Sequence, residues 1–184
     1  MITGNNSVKQ MLVSQDKGIF MTTFKQLWDN YPDNDPCDAK DKKGEKLFGN
    51  QCAIRLSYAM KKSGVSFASF PQKRKCWVHA GADHILAAKE LADWLEKSNH
   101  SSFLVNENIT GSNWRGKISG RTGIICFEDY YLRSDGSGGD HIDLWDGSSM
   151  TGFGSYLRTM FNIVIPSVWS DLSKSKKIRF FPVK

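Results

Sequence analysis

Two side chains in this sequence are of the types that thiol chemistry needs. Cys52 lies in "GNQCAIRLSYAMKKSG", residues 49–64. That stretch is amphipathic: Cys52, Leu56, Ala59 and Met60 share one helical stripe, while Arg55, Lys61 and Lys62 reach water. Asn50 or Gln51 can cap its start, Lys61 and Lys62 suit a last turn, and Gly64 suits the stop. Cys52 is thereby placed in the first turn, facing inward, where free backbone N–H groups and the helix dipole favour a thiolate. The second side chain is His141, which opens the strand-like "HIDLWDG" directly after the glycine-rich "RSDGSGGD". Asp140, Asp143 and Asp146 offer carboxylates nearby. A thiol can attack a carbonyl while an imidazole takes and returns the proton and a third polar group holds the ring. The Cys52 backbone N–H, with the side-chain amide of Gln51 or Asn50, would bind the developing oxyanion.

The remaining histidines and cysteines call for less chemistry. His79 and His84 bracket Asp83 in "HAGADH", which invites a metal reading. Two histidines five residues apart do not share a helical face, however, and a third ligand would have to come from elsewhere. No metal and no cofactor are expected. His100 follows the longest helical segment, where an imidazolium complements the dipole. The four cysteines (Cys37, Cys52, Cys76, Cys126) form no CxxC pair, and a protein made in the cytosol keeps them reduced. Cys76 and Cys126 read as buried free thiols. Cys37, in the turn-rich "YPDNDPCDAKDKKG", is left as an exposed thiol or one with a partner cysteine.

The elements that must position Cys52 and His141 divide into a helical first half and a strand-like second half. "TTFKQLWDNY" predicts a short helix capped by Thr22 or Thr23, packing Phe24, Leu27, Trp28 and Tyr31. "GADHILAAKELADWLEKSNH" predicts the clearest helix, with Ala87, Leu91, Trp94 and Leu95 on one face and Asp83 near its start. "SNWRGKISGRTG" is punctuated by glycine and reads as loop, and "IICFEDYYL" follows as a strand. In the next strand Ile142 and Leu144 point one way, and His141, Asp143 and Trp145 the other. "IRFFPVK" reads as a last strand. The predicted fold is α+β: N-terminal helices packed on an antiparallel sheet in a single domain, residues 22–184, after a polar lead-in, residues 1–21.

Composition narrows the function classes. A chain of 184 residues with 40% hydrophobic and 12% aromatic side chains can build one real core, so disorder is excluded. No run nears the roughly 20 apolar residues of a membrane span. The lead-in has neither the basic start nor the apolar stretch of a signal peptide. The net charge of +6 invites a polyanion, but the basic runs "PQKRKC" and "SKSKK" lack the aromatic and glycine pattern of an RNA-binding sheet, and no nucleic acid is expected. A basic, non-catalytic binding protein for cell-wall polymer or nucleic acid is the alternative from another class.

A cysteine at a helix start followed much later by a histidine opening a strand is the chain order of papain-like thiol hydrolases. "NQCAIRLSYAMKKSG", "TGIICFED" and "GGDHIDLWDG" together resemble the type VI secretion amidase effectors, specifically the fourth amidase family. The resemblance runs from about Phe24 to the last strand, with Asp140 where many members have glycine. It implies a papain-like, NlpC-type fold and a peptidoglycan endopeptidase, with Cys52 as nucleophile and His141 as general base and acid. The implied reaction is hydrolysis of the γ-D-glutamyl–meso-diaminopimelate bond in stem peptides. The implied setting is delivery by the type VI secretion apparatus, action in the periplasm of a rival bacterium, and a cognate immunity protein that covers the cleft. The family's third catalytic residue is an aspartate about eleven residues after the histidine, and here that spacing falls on Gly152. Asp143, Asp146, another polar group or a water are the candidates for its role.

Overall fold

A computed structural model of the protein describes residues 22–71, 74–97, 103, 105–132, 136, 138–151 and 172–184. The lead-in, His100 and Gly152 lie outside the described residues.

Local chemistry sets the helix ends. Helix α1 (Phe24–Asp29) starts at Thr23 with a capping box: the Gln26 N–H donates to Thr23 Oγ1 at 3.3 Å and the Thr23 N–H donates to Gln26 Oε1 at 2.9 Å. Helix α2 (Cys52–Lys62) begins at Cys52 and ends where Gly64 adopts φ +89°, a conformation that L side chains avoid. Its buried side is wider than a single stripe, because Ala53, Ile54 and Ser57 are inside along with Leu56, Ala59 and Met60. Helix α3 (Ala88–Lys97) is shorter than its sequence pattern. Residues 84–86 are extended instead, since the Cys76 N–H donates to the His84 carbonyl at 2.8 Å and the Leu86 N–H to the Arg74 carbonyl at 3.3 Å. Asp83, expected at the helix start, sits in the preceding turn at φ +56°.

Strands β1 (Glu107–Asn108), β2 (Gly123–Leu132), β3 (Gly138–Trp145) and β4 (Lys177–Pro182) form one antiparallel sheet in the order β1-β4-β2-β3. The segment read as loop before β2 contains a further helix, α4 (Trp114–Ile118), held by the buried side chains of Trp114 and Ile118 one turn apart. Strand alternation divides the apolar residues between two faces. Ile124, Cys126, Ile142, Leu144 and Phe181 pack with α2 and α3, whereas Ile125, Phe127, Trp145 and Phe180 pack with Trp114 and Ile118. This is the α+β arrangement expected, helices on an antiparallel sheet.

A buried ionic cluster clamps α3 to the sheet. Arg179 of β4 is fully buried, with its guanidinium 2.7 Å from Glu128 of β2, 2.8 Å from Asp93 and 2.9 Å from Glu96 of α3. A cation there needs its carboxylates, because an unpaired charge in the interior costs several kcal/mol.

Candidate active site

His141 and Asp143 stand on β3, at one edge of the sheet among the described residues, and α2 packs against that strand. The edge position lets the start of α2 meet the His141 ring: the Cys52 sulfur and the imidazole are hydrogen-bond partners. His141 Nε2 also lies 3.4 Å from Asp143 Oδ2. Cys52 is half-buried, while His141 and Asp143 are buried.

Strand β2 supports the ring. Phe127 faces His141 across the ladder and stacks on it with centroids 6.4 Å apart and planes at 27°, and Tyr130 meets it edge-on. The approach to His141 is a close hairpin arm, in which a Cβ on Gly139 would enter the Tyr131 ring. Asp140 accepts the Asp129 N–H at 3.0 Å, so its carboxylate stabilises the irregular turn of β2 and is not directed to the histidine.

The electrostatics favour a protonated imidazole. Burial pushes His141 down, but the Asp143 hydrogen bond, the Cys52 hydrogen bond and the negative charge of both outweigh it and hold the ring up at about 9. Asp143 is itself pinned: its Oδ1 accepts the Thr151 hydroxyl and the Leu144 N–H, the latter at 2.9 Å. The Tyr31 hydroxyl shares hydrogen bonds with Thr151 and Asp143, and burial together with the Asp143 charge raises it well above an ordinary phenol.

These contacts discriminate between the two carboxylate candidates. Asp146 is committed to the turn after β3, where its Oδ1 accepts the Ser148 and Ser149 N–H groups at 2.8 and 2.7 Å, and these bonds outweigh burial to lower its carboxyl. Asp143 is the one beside the ring. Two same-strand residues are about 6.6 Å apart at the backbone, and the length of the imidazole closes that gap. Of the amides considered for the oxyanion, Gln51 has a different duty. Its Nε2 donates to the carbonyls of Cys37 at 2.9 Å and Phe48 at 2.6 Å, bracing the loop before α2. Asn50 Oδ1 accepts the Cys52 N–H at 3.3 Å. Arg55 pairs with Asp35 of the preceding loop at 2.8 Å.

Sequence reasoning missed two members of this cluster. Tyr31 falls at helical spacing from Leu27 and reads as core. Thr151 carries no motif, and only its distance of eight residues from Asp143 in a tight turn places it there.

The basic runs are partly absorbed within the fold. Arg74 forms an ion pair with Glu90, and Lys75 is buried with its Nζ 2.7 Å from Asp83. No helix among the described residues is long and apolar enough to cross a membrane.

Comparison with known proteins adds the family. The profile of the family described as type VI secretion system (T6SS), amidase effector protein 4, matches residues 48–181, a span that includes Cys52, His141 and Asp143. A search of curated proteins finds no match. Among solved structures, the effector Tae4 from Salmonella typhimurium, in complex with the immunity protein Tai4 from Enterobacter cloacae, aligns with a TM-score of 0.56 at 16% identity, over 88% of this chain and 98% of that one. The Tae4–Tai4 complex from Salmonella Typhimurium aligns at 0.53 and 17%, over 86% and 96%. Tae4 from Enterobacter cloacae aligns at 0.52 and 16%, over 89% and 97%. At such identities the structural likeness speaks for the fold, which is papain-like and NlpC-type, and the profile speaks for the family. The chain belongs to the type VI secretion amidase effector 4 family.

Proposed function

We propose that this protein is a cysteine amidase that hydrolyses the γ-D-glutamyl–meso-diaminopimelate bond of peptidoglycan stem peptides. The observation that carries the reading is the contiguous row Cys52–His141–Asp143, assembled from a helix start and a strand edge. With Asp143 on Nε2, Nδ1 is the ring nitrogen left for the thiol proton. The resulting Cys52 thiolate attacks the γ-glutamyl carbonyl, and the imidazolium gives its proton to the departing diaminopimelate amine. Water, activated by the now neutral His141, then releases the glutamyl acid and restores the thiol. Asp143, held by Thr151, Tyr31 and the Leu144 N–H, keeps the ring oriented and its cationic form favoured. The α2 N–H groups supply the positive end toward which the oxyanion develops.

In this reading the protein is delivered by the type VI apparatus into a rival cell and works in the periplasm. An immunity protein, named with the relatives' structures, restrains it in the producer. The test is mass spectrometry of purified peptidoglycan fragments incubated with wild type and with Cys52→Ser, both with chelator present. Fragments cut at the glutamate–diaminopimelate bond by the wild type alone are expected. Intact fragments in both samples, with the protein verified as folded, would refute the amidase reading for this bond. Strongly salt-dependent retention of wall polymer by both proteins would then favour a binding role.

A further inference from the structure

Three donors outside the reacting row come from one short loop and a fourth from a distant one. Residues 74–76 and 84–86 pair as extended chain, with Lys75 bridged to Ile85 and the Cys76 N–H bonded to the His84 carbonyl. The loop they close carries His79 at its turn, where the Ala82 N–H donates to the His79 carbonyl. Cys76, His79 and His84 therefore face a common point. Cys37 arrives from the turn-rich segment before α2, and of the two expectations for it, exposure or a partner cysteine, it is not exposed: it is fully buried, against Ile54 and Cys76.

The distances among three of the donors are those of a coordination polyhedron, and the fourth donor lies close by. Cys37 Sγ is 3.6 Å from Cys76 Sγ and 3.4 Å from His79 Nδ1, and Cys76 Sγ is 3.6 Å from His79 Nδ1. A ring nitrogen of His84 completes the set, with all four donor atoms within 4.8 Å of one another. A tetrahedral zinc with Zn–S of about 2.3 Å and Zn–N of about 2.0 Å separates two sulfurs by about 3.8 Å and a sulfur from a nitrogen by about 3.5 Å. The protein's own contacts leave these groups poorly matched. Thiols are weak hydrogen-bond donors, and His84 Nδ1 is buried with no hydrogen-bond partner among the described residues. Asp83, which the sequence grouped with the two histidines, is turned away and held by Lys61 at 2.9 Å and Lys75 at 2.7 Å.

We propose that Cys37, Cys76, His79 and His84 bind one zinc ion in a closed Cys2His2 site. Two thiolates and two imidazoles suit zinc above harder cations, and four protein donors leave no open position for chemistry, so the ion is structural. Its place in the fold gives it a task. The Cys37 carbonyl accepts one of the two hydrogen bonds of Gln51, the residue immediately before Cys52. The metal would tie the pre-α2 loop to the 74–86 loop and so fix the start of the helix that bears Cys52.

The experiment is metal analysis of the full chain, purified without chelator, then stripped and reloaded with zinc or cobalt. The expected result is one zinc per chain, a melting temperature that drops on stripping and recovers on reloading, and a cobalt form with tetrahedral visible bands and thiolate-to-metal charge transfer. Cys76→Ser should lose the metal and Cys52→Ser should keep it. Should Cys76→Ser fail to fold, His79→Gln, at a partly exposed position, provides the second loss. Four titratable thiols with no retained metal and no cobalt spectrum would overturn the proposal. A Cys37–Cys76 disulfide in the peptide map, with no zinc uptake after reduction, would overturn it equally. Metal content is read independently of peptidoglycan cleavage, so this test and that of the amidase can fail separately.

Discussion

Replacing Asp143 by asparagine keeps the shape of the side chain beside His141 and removes its charge. The folded imidazole gives up its proton near pH 9 where the free side chain does so near 6.5. At 1.36 kcal/mol per pH unit that gap is about 3 kcal/mol in favour of the cation. Asp143 and Cys52 supply it between them and offset burial as well, so an even division assigns each at least about 1.5 kcal/mol, or at least roughly one pH unit. Asp143→Asn should therefore move the upper limb of the kcat/KM profile from about 9 to about 8 or below. The loss relative to wild type should be at least roughly fivefold larger at pH 9 than at pH 6, where the ring is protonated in both proteins. A ring-selective NMR titration of His141 measures the same quantity without turnover. Because the folded value lies above the unfolded one, the linked stabilisation is complete below about pH 6.5 and disappears as pH rises through about 9. The part of the stability difference between wild type and Asp143→Asn that is linked to His141 should be complete below the variant's folded value, about 8 or lower, and fade as pH rises through about 9. An upper limb that stays near 9 in the variant, or a loss equal at both pH values, would refute the assignment of Asp143 as the group that favours the imidazolium.

Two further perturbations test the supports of the site. Arg179→Leu leaves Glu128 buried without its guanidinium, and should cost about 3–5 kcal/mol in urea unfolding; a loss below about 1 kcal/mol would mean that Lys89, 3.5 Å from the same carboxylate, suffices. Gln51→Leu strips the hydrogen bonds from the Cys37 and Phe48 carbonyls, and should destabilise the protein by about 1–3 kcal/mol while lowering kcat more than it changes KM. Unchanged kcat in a folded Gln51→Leu protein would dissociate the loop brace from the placement of Cys52.

The parts of the molecule that sequence reveals are those governed by local chemistry. Thr23 announces α1 because its cap is made with Gln26 three residues on, and Cys52 opens α2 as its pattern predicts. The alternation in "HIDLWDG" separates Ile142 and Leu144 from His141, Asp143 and Trp145 because strand geometry leaves no other choice. Tertiary pairing decided the rest. Residues 84–86 carry helical composition but bond to 74–76, so α3 starts later. Helix α4 is too short to show periodicity, and its glycine-rich surroundings hide Trp114 and Ile118. The choice between Asp143 and Asp146 turned on which carboxylate the Ser148–Ser149 turn would consume. Cys37 read as an exposed thiol or one with a partner cysteine, because its sequence neighbours are polar; the thiol itself is buried beside Ile54 and Cys76.

The strand order has a consequence for how the protein comes into being. Strand β4 lies between β1 and β2, yet among the described strands it is the last to leave the ribosome. Until residues 177–182 emerge, β1 has no neighbour, the second edge of β2 is bare and Arg179 is absent from beneath α3. Beforehand α2 and α3 can pack only on the β2–β3 hairpin, and α3 lacks the Arg179 pairs that clamp it to the completed sheet. The folding transition must therefore wait for distant partners. Such non-local pairing slows folding relative to a topology whose strands pair with their chain neighbours.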